Sequence, residues 1–157
     1  MTDRKRFVNR ELSWLRFNSR VMLEAERPHN PPLERAKFLS IVSSNLDEFF
    51  MVRVGKLERK IDAGLRIIDP AGMTPLQQVR AIRRMVLKQV ARQYAIYNDQ
   101  VIPQLSGHGL RILAPDDLGE EQRTWLSGYF DAQVMPVLTP RTINPSHPFP
   151  LLAAKRI

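Results

Sequence analysis

The feature that most constrains the fold is the spacing of proline and glycine, which cuts a long apolar-periodic chain into three helix-length pieces. Over residues 11–27, Trp14, Phe17, Val21 and Ala25 recur at three- and four-residue steps, with Leu12, Leu15 and Met22 beside them. The stretch Pro28-His-Asn-Pro-Pro32 stops that pattern. Consecutive prolines remove backbone donors and push the residues before them out of the helical region. Pro32 suits the first turn of a second helix, which begins near Leu33 and continues through Phe38, Leu39 and Val42. The run Ser43-Ser-Asn-Leu-Asp-Glu-Phe49 predicts a break or a new cap, because Ser, Asn and Asp side chains compete for backbone hydrogen bonds. Helical pattern resumes over 47–63, and Gly64 is the stop signal.

The third piece is the clearest. Thr74 is placed to cap it, with Pro75 at its first position. Leu76, Val79, Ile82, Val86, Val90, Tyr94, Tyr97 and Val101 then follow as one stripe, while Arg80, Arg83, Arg84, Lys88 and Arg92 occupy other faces. Pro103 and Gly107-His-Gly109 end it. Three such helices with short turns predict a mainly α fold, an antiparallel three-helix bundle over residues 1–108. Past Gly109 the texture changes. Short strands are expected at 110–113 and 135–139 around a helix over 116–134, and five of the twelve prolines fall in the last 22 residues. Residues 109–157 thus read as the truncated beginning of an α/β domain.

The chain has 157 residues and a net charge of +8, and ten Lys/Arg face only three Asp/Glu within residues 51–92. Such a region suits a polyanion (nucleic acid, lipid surface, nucleotide or polyphosphate) and equally a solvated helix face. No cysteine is present, which excludes disulfides, thiolate metal ligands and a cysteine nucleophile and fits a cytoplasmic location. No apolar run is long enough to span a bilayer.

Few residues qualify for chemistry. His29, His108 and His147 sit in Pro- or Gly-rich loops, and none has a partner at metal-ligand spacing. With seven glycines and no Walker or GxGxxG pattern, no Gly-rich phosphate cradle is available. Asp47 and Glu48 are adjacent, so on a helix they point about 100° apart, which suits a cap or salt bridge better than an acid–base pair. Trp14, Phe17, Phe38, Phe49 and Phe50 read as core residues. Asn45 is a polar amide flanked by apolar turns. A capping role and recognition of a polar edge such as a nucleobase both remain open for it.

The ordered motifs carry a resemblance. Asn9-Arg-Glu-Leu-Ser-Trp-Leu-Arg-Phe-Asn18, Pro32-Leu-Glu-Arg-Ala-Lys-Phe-Leu39 and Ser44-Asn-Leu-Asp-Glu-Phe-Phe-Met-Val-Arg53 resemble the opening of the bacterial polyphosphate kinases. Pro136-Val-Leu-Thr-Pro140 and Asn144-Pro-Ser-His-Pro-Phe-Pro150 resemble the start of that family's head domain. The resemblance implies an enzyme that moves the terminal phosphate of ATP reversibly onto inorganic polyphosphate through a phosphohistidine, with Mg2+. It implies that Asn45 contacts the adenine end of ATP and that Arg53 is the nearest candidate to touch the polyanion, with a surface salt bridge as the alternative for Arg53. The catalytic histidine and the metal-binding residues belong to C-terminal domains, so no catalytic or metal-binding residue is expected in this segment, and the chain alone is expected to be inactive. A homo-oligomeric full-length enzyme is implied, with membrane association open to it and no nucleic-acid partner. The competing reading is a stand-alone, non-catalytic helical module that binds a polyanion or a partner subunit.

Overall fold

The computed structural model describes residues 6–146 and 148–150. The chain divides into two compact units, Met1–Ile112 and Leu113–Ile157. The first is built from three helical arms. Arm one is α1 (Arg10–Glu26). Arm two joins α2 (Pro32–Glu48) through a wide turn, Phe49–Val54, to α3 (Gly55–Asp62). Arm three joins α4 (Pro75–Ile96) through a second wide turn, Tyr97–Val101, to α5 (Ile102–Gly107).

The boundaries have local causes. Asn9 caps α1 by accepting the Leu12 N–H at 2.9 Å. Thr74 and Gln77 form a reciprocal capping box ahead of α4, with Pro75 at the first position. Gly64 (φ 68°) and Gly109 (φ 83°) end α3 and α5 in the left-handed region. In each case the next residue donates back five positions, Leu65 to the Lys60 carbonyl and Leu110 to the Leu105 carbonyl.

Two apolar clusters give the arms their directions. The first holds Leu15, Leu46, Phe49, Val54, Leu57, Ile82 and Val86, and the second Met22, Ala25, Leu39, Val42, Ile96, Val101 and Leu105. Arms one and three therefore run from the first cluster to the second, and arm two runs back between them, which makes an up-down-up bundle. At the level between the clusters lies a polar layer. Asn18 donates to the Val42 carbonyl at 3.3 Å, and Gln89 Nε2 donates to the Leu15 carbonyl at 2.6 Å and to Ser19 Oγ at 2.5 Å. Gln93 Nε2 reaches the Leu39 carbonyl at 3.0 Å and Ser43 Oγ at 2.6 Å.

Several expectations are corrected here. The break at 43–49 does not form. Asn45 and Ser43 bond to side chains on other arms, so they do not compete with their own backbone. The irregularity lies one turn later, where the Gly55 N–H bonds to the Phe50 carbonyl five residues back. Pro103 does not end arm three either. The wide turn before it, closed by Ile102 N–H to the Tyr97 carbonyl, carries the helix past the missing donor and on to Gly107. Phe17 and Phe50 are 47% and 42% exposed, and Leu76 and Tyr94 are also exposed, while Gln78 and Gln89 take buried positions on α4.

The second unit contains a 3₁₀ turn (Pro115–Asp117), α6 (Glu120–Tyr129), a wide turn (Phe130–Val134) and a final 3₁₀ turn (Met135–Val137). The strands expected at 110–113 and 135–139 are not formed. A strand needs a neighbour for its N–H and C=O groups, and no paired strand occurs among the described residues. Trp125, Leu126, Tyr129 and Phe130 are all exposed. No helix among the described residues is long and apolar enough to cross a membrane.

Candidate functional site

The first unit carries an open cleft of about 570 Å³, a size within the ~300–1,000 Å³ range of small-molecule sites. Its lining comes from α1 (Arg10, Glu11, Trp14, Phe17), from arm two (Asn45, Glu48, Phe49, Val52, Arg53, Lys56, Leu57, Lys60), and from Ile67, Asp69 and Gln78. Asn45 and Arg53, far apart in role on the sequence, thus share one wall. No histidine among the described residues takes part. His29 and His108 are exposed in turns, and His147 lies outside the described residues.

Asn45 sits inside α2 at half-burial, so it is not a cap. Its Nδ2 donates to Asn18 Oδ1 at 3.0 Å. Asn18 is fully buried, and its own Nδ2 is committed to the Val42 carbonyl. Because Asn18 must present its oxygen, Asn45 must present its nitrogen, and the orientation of the Asn45 amide is set. Its Oδ1 and its second Nδ2 hydrogen have no protein partner among the described residues, leaving one acceptor and one donor side by side.

Arg53 is held otherwise. Its Nη1 lies 3.2 Å from Glu11 Oε2, with the two side chains 29% and 18% exposed. The cleft cations without an acidic partner among the described residues are Arg10, Lys56 and Lys60. Lys56 and Lys60 are four residues apart and share one face of α3.

The aromatic side of the cleft is closely packed. The Trp14 and Phe49 rings stack at 4.6 Å and 13°, and Phe50 meets Phe49 edge-on at 5.9 Å. At the other end Asn9 Nδ2 donates to Asp69 Oδ2 at 2.6 Å and to Gln78 Oε1 at 3.0 Å, while Asp69 Oδ1 accepts the Met73 N–H at 2.6 Å. This ties the 63–74 loop to the starts of α1 and α4.

Asn18, Asn9, Lys56 and Lys60 were not singled out from the sequence. Asn18 did leave a signal, since a lone amide stands between Leu15 and Met22 on the core-facing stripe of α1. The lysines left none, because only the folded cleft separates them from other surface cations. Among the described residues no group of three or more His, Cys, Asp or Glu is arranged to hold a metal ion. In the cleft, Glu11 is paired with Arg53, and Asp69 is held by Asn9 and the Met73 N–H, a set that does not fit Mg2+.

These features define a class: an all-helical bundle domain with an open cleft of mixed polarity and no glycine-rich phosphate loop. Residues 7–113 match the model of the polyphosphate kinase N-terminal domain, and residues 121–157 match that of the polyphosphate kinase middle domain. The chain belongs to the polyphosphate kinase family. It is 48% identical over 152 residues to the polyphosphate kinase of Halalkalibacterium halodurans, covering 96% of this chain and 22% of that protein. It is 45% identical over 148 residues to that of Mycobacterium tuberculosis, covering 94% of this chain and 20% of the relative. The crystal structure of polyphosphate kinase from Porphyromonas gingivalis superposes with a TM-score of 0.73 at 33% identity, covering 94% of this chain and 21% of that one. The chain spans about a fifth of the length of the relatives it matches.

Proposed function

We propose that this chain is the nucleotide-side segment of a polyphosphate kinase, and that Asn45 reads the adenine of ATP in the cleft. The observation that carries this reading is the preset Asn45 amide. An asparagine amide pairs with adenine by accepting from the exocyclic N6 amino group and donating to ring N7. Guanine offers two acceptors at those positions, so the Asn45 oxygen would face a second oxygen. The same geometry therefore favours ATP over GTP. The adjacent Trp14 and Phe17 provide apolar surface for the base, with the buried Phe49 stacked on Trp14.

In the activity proposed for the whole protein, a histidine nitrogen attacks the terminal phosphorus of ATP. The bond to the bridging oxygen breaks and ADP leaves. A terminal oxygen of polyphosphate then displaces the histidine, and the reaction runs in both directions. This segment contributes binding and orientation, which are a large part of catalysis when little else is asked of the protein. Arg53 could touch the phosphate chain only by exchanging Glu11, so Lys56 and Lys60 are the cleft cations better placed for a nucleotide's anionic end. The test is titration of the chain with ATP and GTP, before and after Asn45→Ala. ATP binding that exceeds GTP binding and falls about tenfold in the variant supports the reading. Equal ATP affinity in both proteins rejects it.

A further inference from the structure

Helix α4 carries five cations and no carboxylate over its 22 residues. Its apolar face is spent inside the bundle, with Ile82, Val86 and Ile96 buried. Arg80, Arg83, Arg84 and Lys88 all lie on the opposite, exposed face. At 100° per residue, Arg80, Arg84 and Lys88 fall within about 80° of each other, with Arg83 on the flank, and the row is about 12 Å long. Arg92 continues the helix but is matched by Glu26. The other four have no acidic partner among the described residues, and none of them lines the cleft.

A row of like charges on one helix face is self-repelling, and nothing in the packing requires it, since the core contacts lie on the other side. Its complement is an extended anion that meets several charges at once. Three extended anions are candidates, and the face favours one. Single-stranded nucleic acid is held by aromatic platforms between the cations, and α4 has no aromatic residue before Tyr94. A membrane surface takes a helix by a broad apolar face, and with Ile82, Val86 and Ile96 of α4 buried, the charged row is left with only Leu76 and Leu87 exposed beside it, too narrow an apolar strip for that. A linear chain of phosphates needs neither bases nor acyl contacts, only a line of charges.

We infer that the outer face of α4 is a docking track for linear inorganic polyphosphate, separate from the cleft, with Arg80, Arg83, Arg84 and Lys88 as its contacts. The choice of polyanion rests on the polyphosphate kinase reading. The track itself rests on the charges. It would hold the polymer on the protein beyond its reacting end, which raises the local concentration of that end.

The experiment measures binding of fluorescently labelled long-chain polyphosphate to the 157-residue chain across a series of salt concentrations. Two charge-matched variants are compared, one with Arg80, Arg83, Arg84 and Lys88 all changed to Gln, the other with the exposed Arg16, Arg20, Arg59 and Arg66 changed to Gln. Loss of the track should weaken binding at low salt by about tenfold or more and lower the salt slope by roughly one per phosphate contact removed. The control variant should stay within about threefold of the parent. Equal losses in the two variants would reduce the effect to net charge and overturn the proposal, as would no binding by the parent. Tighter binding of poly(U) RNA or phosphatidylserine vesicles to the same four residues would also overturn it. An Asn45→Ala arm titrated with ATP keeps the two readings apart, because a failed adenine contact leaves the polyphosphate measurement standing.

Discussion

Asn45 on α2 donates its side-chain amide to Asn18 on α1 at 3.0 Å, and Asn18 in turn donates to the Val42 carbonyl. The relay lies between two apolar clusters, where an unmatched amide would be costly, and it emerges at the wall of the cleft. One end of the relay specifies packing and the other presents hydrogen-bonding groups to a ligand.

The two ends should therefore respond differently to substitution. Asn45→Ala removes the donor to the buried Asn18 Oδ1 and is expected to cost about 1 kcal/mol of stability while weakening ATP binding. Asn45→Asp sets a carboxylate oxygen against Asn18 Oδ1 and should destabilise the fold by about 1–3 kcal/mol. Asn18→Ala should cost stability and ATP affinity together, since it acts on the ligand only by positioning Asn45. Urea denaturation alongside ATP titration separates the three outcomes.

Arg35 is a buried cation with no carboxylate partner among the described residues. Its Nε donates to the Ala25 carbonyl near the C-terminus of α1, and Nη1 and Nη2 donate to Gln104 and Gln100 at 2.8 and 2.6 Å. The negative end of the α1 dipole offsets the charge, and the fork joins all three arms. Arg35→Ala is expected to lower stability by about 2–4 kcal/mol. Arg35→Lys should recover only a minor part, because an ammonium cannot meet the same planar set of acceptors. Chemical denaturation of the two variants checks both statements.

Phe49 and Phe50 are neighbours with opposite roles. Phe49 is 1% exposed and stacked on Trp14, whereas Phe50 is 42% exposed. Phe49→Ala should cost about 3–5 kcal/mol and alter the fluorescence of Trp14, measured in a Trp125→Phe background. Phe50→Ala should cost less than about 1 kcal/mol. Similar losses at both positions would contradict the burial pattern.

The Arg92 guanidinium is paired with both carboxylate oxygens of Glu26. The hydrogen bond to Glu26 raises the Arg92 pKa, desolvation opposes the rise, and the charge of Glu26 adds to it. A cation whose pKa is raised by folding contributes stability below its unfolded pKa and loses it as pH climbs through the folded one. That window lies above the ordinary arginine range, so the pair's contribution should be flat from pH 6 to 9. Since the Arg92 side chain is half exposed, Glu26→Gln should cost under about 1 kcal/mol and less in high salt.

The helix boundaries were the most legible part of the sequence. Thr74 with Pro75, Pro32, Gly64 and Gly109 act through backbone geometry within a few residues, and each stands where its chemistry places it. Errors came where a distant partner changed the local balance. Ser43 and Asn45 would break an isolated helix, but Gln93 and Asn18 occupy their side chains. Pro103 would stop one, but the wide turn at 97–101 absorbs it. Gln78 and Gln89 lie outside the apolar stripe in the sequence and are nonetheless buried, with Asn9 and the Met73 carbonyl meeting the Gln78 amide and Ser19 and the Leu15 carbonyl accepting from Gln89 Nε2. The ordered motifs were enough to indicate the family, and the alternation of caps and stops was enough to indicate three helical arms. Only the tertiary structure decided which way the Asn45 amide points, that Arg53 is spent on Glu11, and that Lys56 and Lys60 share its cleft while Arg80, Arg83, Arg84 and Lys88 line a separate face. The division follows from range: caps and turns are settled within about five residues, whereas buried polar groups also take partners as far as 74 positions away in the chain.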